Sequence, residues 1–430
     1  MCGITIKKHE FKSSISHRGI VDIEGQINDW FYVFNSLPLS SNNTGIVQPV
    51  KYHKTSILFN GEIFNYKELG KNCKSDVHYL YDLLKKVNGD ILKFYNESLK
   101  WDGFWSIVLI NENDLFFFSD PLGKKQMYYS KDGISSEIKG LLNEYEYYSY
   151  GTQEFGTSMT NFSTVQRALP GKLYCYNIKL QRAYKITELN YLNIKEEGNL
   201  YDIIDQSVKR RLENRINGIT LFLSGGLDSN IVLHHTLKYT KDIEILTIEN
   251  EEKTIIDQLS NDLNLNIKYL SNEFNDQDYI KAVESYEYNY DLGSLMPNYK
   301  LFENTSNHVV LTGDGSDELF GGYSRNLKQD TWDFDANKEL PFYHNIRLDR
   351  LSMAKTIECR SPLMSNPLYR YSRGISWQQR QNKQCLRDCY EGILPGYLTK
   401  GDKKPLRLLN SKEENLNKIK LIHKQIYNKK

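Results

Sequence analysis

The chain has 430 residues and sets 55 Lys+Arg against 54 Asp+Glu, a formal net charge of +1. That length exceeds what one hydrophobic core usually organises, so two domains are expected, and balanced charge offers no field to hold nucleic acid. No apolar run approaches a membrane span, no signal-peptide stretch opens the chain, and six cysteines without a CxxC pair give neither a disulfide framework nor a zinc site. The expectation is a cytoplasmic protein acting on small molecules, with no membrane or nucleic-acid partner.

The chain opens MCGITIKK. If Met1 is removed, Cys2 carries a thiol beside a free α-amine, whose pKa of about 8 suits it to act as base for its own side chain. Short strands bounded by turn residues follow: WFYVFNSLPL, TSILFNGEIF, FWSIVLI, DLFFFSD, QMYYS and GKLYCYNI. One clear helix, DVHYLYDLLKKV, interrupts them. This spacing predicts an antiparallel, sheet-based domain. ITELNYLNIKEEGNL reads as a polar connector, and a boundary is expected near 185 to 200.

Beyond it the texture alternates. LYDIIDQSVKRRLENRI and NIVLHHTLKY read as helices, and GITLFLSGG, IEILTIEN and HVVLTGDG as strands. Such alternation predicts a parallel sheet wrapped by helices. The basic end, NLNKIKLIHKQIYNKK, reads as a solvated tail.

Two glycine-rich stretches carry the chemistry. In LFLSGGLDS (221–229) a strand breaks into Gly225 and Gly226 before a helix, an arrangement that turns N–H groups toward an anion. No GK[ST] follows, so it is not a Walker loop; Ser224, Ser229 and Asp228 stand in its place. A carboxylate beside phosphates implies a divalent cation, Mg²⁺. In VVLTGDGSDELFGGY (309–323) a second strand ends on Thr312 and Gly313, and Asp314, Asp317 and Glu318 follow within five residues. In open parallel sheets that end of a strand binds ligands.

SGGLDS matches the pyrophosphate loop of ATP-pyrophosphatase enzymes, and with the MCG start the two loops resemble the glutamine-dependent asparagine synthetase family from position 1 to about 406. SHRG (16–19), QP (48, 49), NGEIFNY (60–66), SD (75, 76), SDPLGKKQMYY (119–129), SSEIKGL (135–141) and LPG (169–171) follow in the family's order. So do DLGSLMPNY (291–299), MAKTIECRSPL (353–363), KQCLR (383–387) and KKPL (403–406).

The resemblance implies an α+β antiparallel sandwich of the Ntn-hydrolase type over 1–185, acting as a class II glutamine amidotransferase. It implies an α/β parallel sheet of the ATP-pyrophosphatase type over 186–430, acting as the synthetase. Cys2 would attack glutamine, Asn60 and Gly61 would supply oxyanion donors, and Glu62 and Asp76 would bind the glutamine α-amine. Leu223, Ser224, Gly225, Gly226, Asp228, Ser229, Thr312 and Gly313 would bind ATP, with Asp228 serving Mg²⁺. Asp314 and Asp317 would meet the acceptor, Lys383 would neutralise charge during adenylation, and Arg360 would be structural.

The implied reaction is ATP-dependent amidation of aspartate to asparagine through β-aspartyl-AMP, with nitrogen from glutamine or ammonia; a homodimer stays open. The alternatives are a same-family ligase acting on another carboxylate or an internal amine, as in β-lactam synthetase and lasso-peptide cyclases, and a non-catalytic protein of degenerate enzyme ancestry. Retention of Cys2 speaks against the former. The sequence departs from the family at Ser36, where an arginine clamps the glutamine carboxylate, at Ser119 before Asp120, and at Met364 and Ser365 in place of Leu and Asp.

Overall fold

The computed structural model describes residues 2–39, 47–142, 155–177, 180–215, 218–401 and 411–427, so the KKPL stretch lies outside the described residues. Two compact units result: Met1–Ile194 with Pro341–Asp349, and Lys195–Leu340 with Arg350–Lys429. No helix among the described residues is long and apolar enough to cross a membrane.

The first unit contains twelve strands among the described residues: β1 (Cys2–Lys7), β2 (Val21–Ile27), β3 (Trp30–Ser36), β4 (Val50–Tyr52), β5 (Thr55–Ile63), β6 (Gly103–Asn111), β7 (Asp114–Ser119), β8 (Tyr128–Ser130), β9 (Gly133–Ser135), β10 (Gln166–Arg167), β11 (Lys172–Asn177) and β12 (Arg182–Glu188). They form two six-stranded antiparallel sheets, ordered β10-β8-β9-β1-β3-β2 and β12-β11-β7-β6-β5-β4. Ile4, Ile6, Trp30 and Phe34 of one sheet share a buried cluster with Leu58, Val108, Ile110, Phe117 and Tyr176 of the other, which makes the expected sandwich. The helix Asp76–Lys86 packs against β4 and β5. Enclosed in this way, all nine residues of β5 are buried, which explains its near-continuous apolar run. The helix starts where Ser75 Oγ accepts the His78 N–H at 3.1 Å, a cap worth about 1 kcal/mol.

The six strands expected from sequence are present. β1, which the opening MCGITIKK hid, and the short or edge strands β2, β4, β9, β10 and β12 were not legible in the pattern. β12 runs into the stretch read as a connector, because its mostly exposed side chains carry no burial signal and backbone bonds to β11 hold it.

The second unit is built on β13 (Ile219–Phe222), β14 (Ile243–Ile248), β15 (Ile267–Leu270), β16 (Val309–Leu311) and β17 (Glu358–Arg360), all parallel, in the order β15-β14-β13-β16-β17. Strand order reverses between β13 and β16, and both glycine-rich loops leave the carboxyl ends of those two strands. This is the switch point at which open sheets form a crevice.

Arg360 is structural, as expected: Nε meets Glu358 Oε1 at 2.5 Å, and its Nη groups donate to the carbonyls of Arg211, Glu213 and Asn214 at 2.6, 2.6 and 2.9 Å. Those donors satisfy carbonyls at and beyond the end of helix Leu200–Arg211.

The basic end departs from expectation. Lys412–Tyr427 is a helix packed on the helices Asp276–Tyr286 and Leu292–Glu303, with Asn415, Ile419, Ile422 and His423 buried. His423 Nε2 lies 3.0 Å from Glu287 O, and burial pushes that imidazole down to about 4. The 415, 419, 422, 423 spacing is a one-face helical stripe that the surrounding lysines obscured. Ile419→Ala is expected to cost about 2–4 kcal/mol and to speed amide exchange in Asp276–Tyr286. Unchanged protection by hydrogen-exchange mass spectrometry would return this helix to a solvated tail.

Candidate functional site

In the first unit the pairing register sets Cys2 opposite Ser36 on β3. The Cys2 N–H donates to Asn60 Oδ1 at 3.1 Å, so β1 of one sheet is tied to β5 of the other at Cys2. Asn60 is fully buried, and its Nδ2 donates to Ser106 Oγ at 3.3 Å. The QP stretch supports the same strand: Gln48 Oε1 accepts the Phe59 N–H at 2.6 Å and Gln48 Nε2 donates to Phe59 O at 3.1 Å. Gly61 cannot be replaced, since a Cβ would sit 2.1 Å from Phe104 O and φ is +154°. Glu62 is buried on the same strand, and Asp76 reaches its end by accepting the Ile63 N–H at 3.3 Å and the Val77 N–H at 2.7 Å.

The structure therefore brings Cys2, Asn60, Gly61 and Ser36 together and places Asp76 at the end of the Asn60 strand. Burial pushes other thiols up, Cys385 to about 12 and Cys389 to about 11, with Cys73 and Cys175 raised for the same reason. Those are poor nucleophiles near neutrality.

In the second unit a buried ammonium organises the crevice. Lys383 Nζ lies 2.5 Å from Asp228 Oδ2 and 2.6 Å from Asp317 Oδ1. Burial alone would push this ammonium down, but the two carboxylates outweigh it and raise its pKa above the ordinary lysine value. The backbone is bent to deliver it: Asn382 and Lys383 both lie in the left-handed region, with φ of 50° and 58°. Successive non-glycine residues there store strain, and such strain clusters at functional sites.

Glycines give the room. A Cβ on Gly322 would meet Asp317 Oδ1 at 1.8 Å and Lys383 Cε at 2.4 Å. One on Gly313 would meet the Ser229 N at 2.6 Å and the Asp228 carbonyl carbon at 2.8 Å, so Gly313 is where the two loops touch.

The first loop is closed more tightly than its sequence suggests. Ser224 N–H donates to Ser229 Oγ at 3.0 Å, Gly226 N–H to Ser224 Oγ at 3.2 Å, and Gly225 N–H to the buried Glu252 Oε2 at 3.0 Å. Leu223 N–H pairs with Leu246 O at 2.9 Å, and Thr312 Oγ1 lies 2.9 Å from Ser361 Oγ. The Gly225 and Gly226 amides and the Ser224 and Ser229 hydroxyls are thus engaged within the loop or with Glu252, which leaves the first-turn N–H groups of helix Leu227–Tyr239 and the Lys383 ammonium as candidate donors to an anion. Asp314 is half-buried between Gly313 and Gly315.

Among the described residues Asp228 Oδ1 is buried without a hydrogen-bond partner, while its other oxygen faces Lys383. A buried carboxylate oxygen without a hydrogen-bond partner fits a magnesium ion whose other ligands would be phosphate oxygens.

Two departures from the family pattern have a physical reading. Ser365 caps helix Asn366–Arg373, its Oγ accepting the Leu368 N–H at 3.2 Å, a task Ser and Asp perform alike. Asp120 is buried and accepts the N–H groups of Trp105, Leu122, Lys124 and Lys125 at 3.0–3.3 Å, so it builds the turn regardless of the residue before it. Sequence reading missed Glu252. The signal present was an acidic run, ENEEK, at the carboxyl end of a parallel strand.

Known proteins bear on this geometry. The profile described as "Asparagine synthase" matches residues 199–345 and 334–429, and that of the "Glutamine amidotransferase domain" matches 39–143. A putative asparagine synthetase [glutamine-hydrolyzing] 2 of Methanocaldococcus jannaschii is 26% identical over 70% of this chain and 65% of its own length. The Homo sapiens asparagine synthetase [glutamine-hydrolyzing] is 24% identical over 88% and 77%, and asparagine synthetase [glutamine-hydrolyzing] 1 of Bacillus subtilis 25% over 73% and 55%. The chain thus spans just under two thirds of the first relative and about half of the last.

Because the two atoms nearest to a Cβ on Gly313 are backbone, Gly313→Ala must push the loops apart. Overpacking of this kind is expected to weaken ATP binding by roughly tenfold or more. An unchanged Kd in a nucleotide titration would show that the loop contact does not shape the site.

Proposed function

The chain belongs to the asparagine synthase family and carries a glutamine amidotransferase domain, and from that premise we propose that it amidates aspartate to asparagine at the expense of ATP, with nitrogen from glutamine or ammonia. Family membership implies ATP use. The observation that carries the reading is the Lys383 ammonium held between Asp228 and Asp317 at the ends of β13 and β16. We assign the glutaminase role to 1–185 and the synthetase role to 186–430, in a cytoplasmic enzyme.

In the first unit the Cys2 amine, freed by removal of Met1, takes the thiol proton. The sulfur then attacks the side-chain amide carbon of glutamine. The oxyanion takes donors from Asn60 and Gly61, ammonia leaves, and water hydrolyses the γ-glutamyl thioester. Glu62 and Asp76 hold the glutamine α-amine.

In the second unit the aspartate side-chain carboxylate attacks the α-phosphorus of ATP. A bond forms from the carboxylate oxygen to that phosphorus, the bond to the bridging oxygen breaks, and pyrophosphate leaves. Ser224, Ser229 and the first turn of helix Leu227–Tyr239 hold phosphate oxygens, and Lys383 neutralises charge that develops on them. Asp228 would hold Mg²⁺, which offsets pyrophosphate charge. Ammonia then adds to the acyl carbon and expels AMP, while Asp314 or Asp317 takes the proton released by the attacking nitrogen.

Amino-acid analysis after incubation with ATP, Mg²⁺, aspartate and either glutamine or ammonium tests the reading; asparagine with AMP is expected, and its absence with both donors would overturn it. Asp228→Asn should abolish pyrophosphate release yet spare glutamine hydrolysis. Lys383→Ala should slow adenylation by about a hundredfold, the scale of deleting one transition-state donor. Wild-type pyrophosphate release in either variant would remove that residue from the assignment.

The nitrogen source has its own test. Cys2→Ala should abolish synthesis from glutamine while preserving it from ammonium. With Ser36 where relatives clamp the carboxylate, the wild type should show a high glutamine KM. Ser36→Arg should lower it, by at most the roughly hundredfold that a charge-assisted pair of about 2–3 kcal/mol supplies. An unchanged KM would mean that another group clamps the carboxylate.

A further inference from the structure

Arg18, from the HRG stretch, is fully buried. Its Nε donates to Cys2 O at 3.2 Å. Nη1 donates to Glu137 Oε1 at 2.7 Å and Asp349 Oδ2 at 2.9 Å, and Nη2 to Asp349 Oδ1 at 3.0 Å. The Asp349 carboxylate, 2% exposed, also receives Lys125 Nζ. Glu137 in turn faces Lys139 Nζ and His17 Nε2, each at 3.1 Å. Asp349 stands 331 residues from Arg18 in sequence, beyond both glycine-rich loops, yet in the same compact unit as Cys2.

We propose that Asp349 is a positioning residue for the Cys2 nucleophile, acting through Arg18, so that a segment encoded within the synthetase half of the sequence completes the glutaminase site. The proposal rests on the reading of Cys2 as the glutaminase nucleophile. Its physical basis is the two-point grip of a carboxylate on a guanidinium, which fixes rotation as well as distance. With its Nη edge pinned on Asp349, Arg18 keeps Nε on the Cys2 carbonyl, while Asn60 holds the Cys2 nitrogen from the other side. Both ends of the nucleophile's own residue are thereby fixed.

The charges close in the same way. Buried Arg18 and Lys125 face buried Glu137 and Asp349. Removing the Asp349 charge takes from buried Arg18 its two-point partner and from buried Lys125 a carboxylate contact, a loss that loosens the hold on the guanidinium.

The test uses full-length Asp349→Asn, which keeps shape and removes charge. Misplacing a reacting group costs rate more than binding, so kcat for glutamine hydrolysis is expected to fall about tenfold with KM within about twofold. Alkylation of Cys2 by iodoacetamide, followed by peptide mass spectrometry, should quicken several-fold while that of Cys175, buried on β11 of the same unit, stays unchanged. In a double-mutant cycle with Arg18→Lys, the combined loss should not exceed that of Arg18→Lys alone.

Unchanged kcat, Cys2 and Cys175 quickening together, or additive losses would each overturn the proposal. If the wild type releases no glutamate from glutamine, the glutaminase reading falls, and the alkylation contrast alone then decides the role of Asp349.

Discussion

A lysine buried between two aspartates fixes the second unit's crevice. An ammonium taken out of water is stable only with compensation, and Lys383 has it from Asp228, at the start of the helix after β13, and from Asp317, in the helix after β16. That contact ties together the two loops at the point where strand order reverses. The glycines at 313 and 322 exist for it, since a side chain at either would strike the backbone or the ion contact itself. The left-handed pair Asn382–Lys383 is the strain that the arrangement carries. With ATP present, phosphates and a cation would redistribute these partners: Asp228 has an oxygen to offer a metal, and Lys383 a charge to offer phosphate.

Much of this was legible in sequence, for identifiable reasons. β5, β6 and β7 lie inside the sandwich, so their long apolar runs report strands directly. The parallel sheet showed itself through alternation, and SGGLDS and GDGSDE through glycine beside acid. What stayed hidden has two causes: contacts between residues far apart in sequence leave no local pattern, and a local pattern can be diluted by its neighbours. β12 is held by backbone bonds and shows exposed side chains. The stripe of the 412–427 helix is diluted by lysines. Glu252 reaches the Gly225 amide from the loop after β14, and Asp349 reaches Arg18 across 331 residues. Lys383 was identifiable only through resemblance, because nothing local distinguishes it from a surface lysine.

The departures from the family divide by kind. Ser365 keeps a capping role that several short polar residues can fill, and the residue before Asp120 is released from duty by the amides that Asp120 gathers. Ser36 is different, because the register places it beside Cys2, where a lost guanidinium has no equivalent among short side chains. The partners that hold the Cys2 backbone, Asn60 and Arg18, are in place around it. If the proposed glutaminase reading holds, that contrast predicts a weakened hold on glutamine with undiminished chemistry after binding.

Adenylation of a carboxylate is the claim on which the rest turns, and oxygen transfer reports it directly. Aspartate labelled with ¹⁸O in its side-chain carboxylate, incubated with ATP, Mg²⁺ and ammonium, should pass one labelled oxygen to the phosphate of AMP, because that oxygen forms the bond to the α-phosphorus. Mass spectrometry finding label in orthophosphate instead, or AMP without label while asparagine accumulates, would contradict attack at the α-phosphorus.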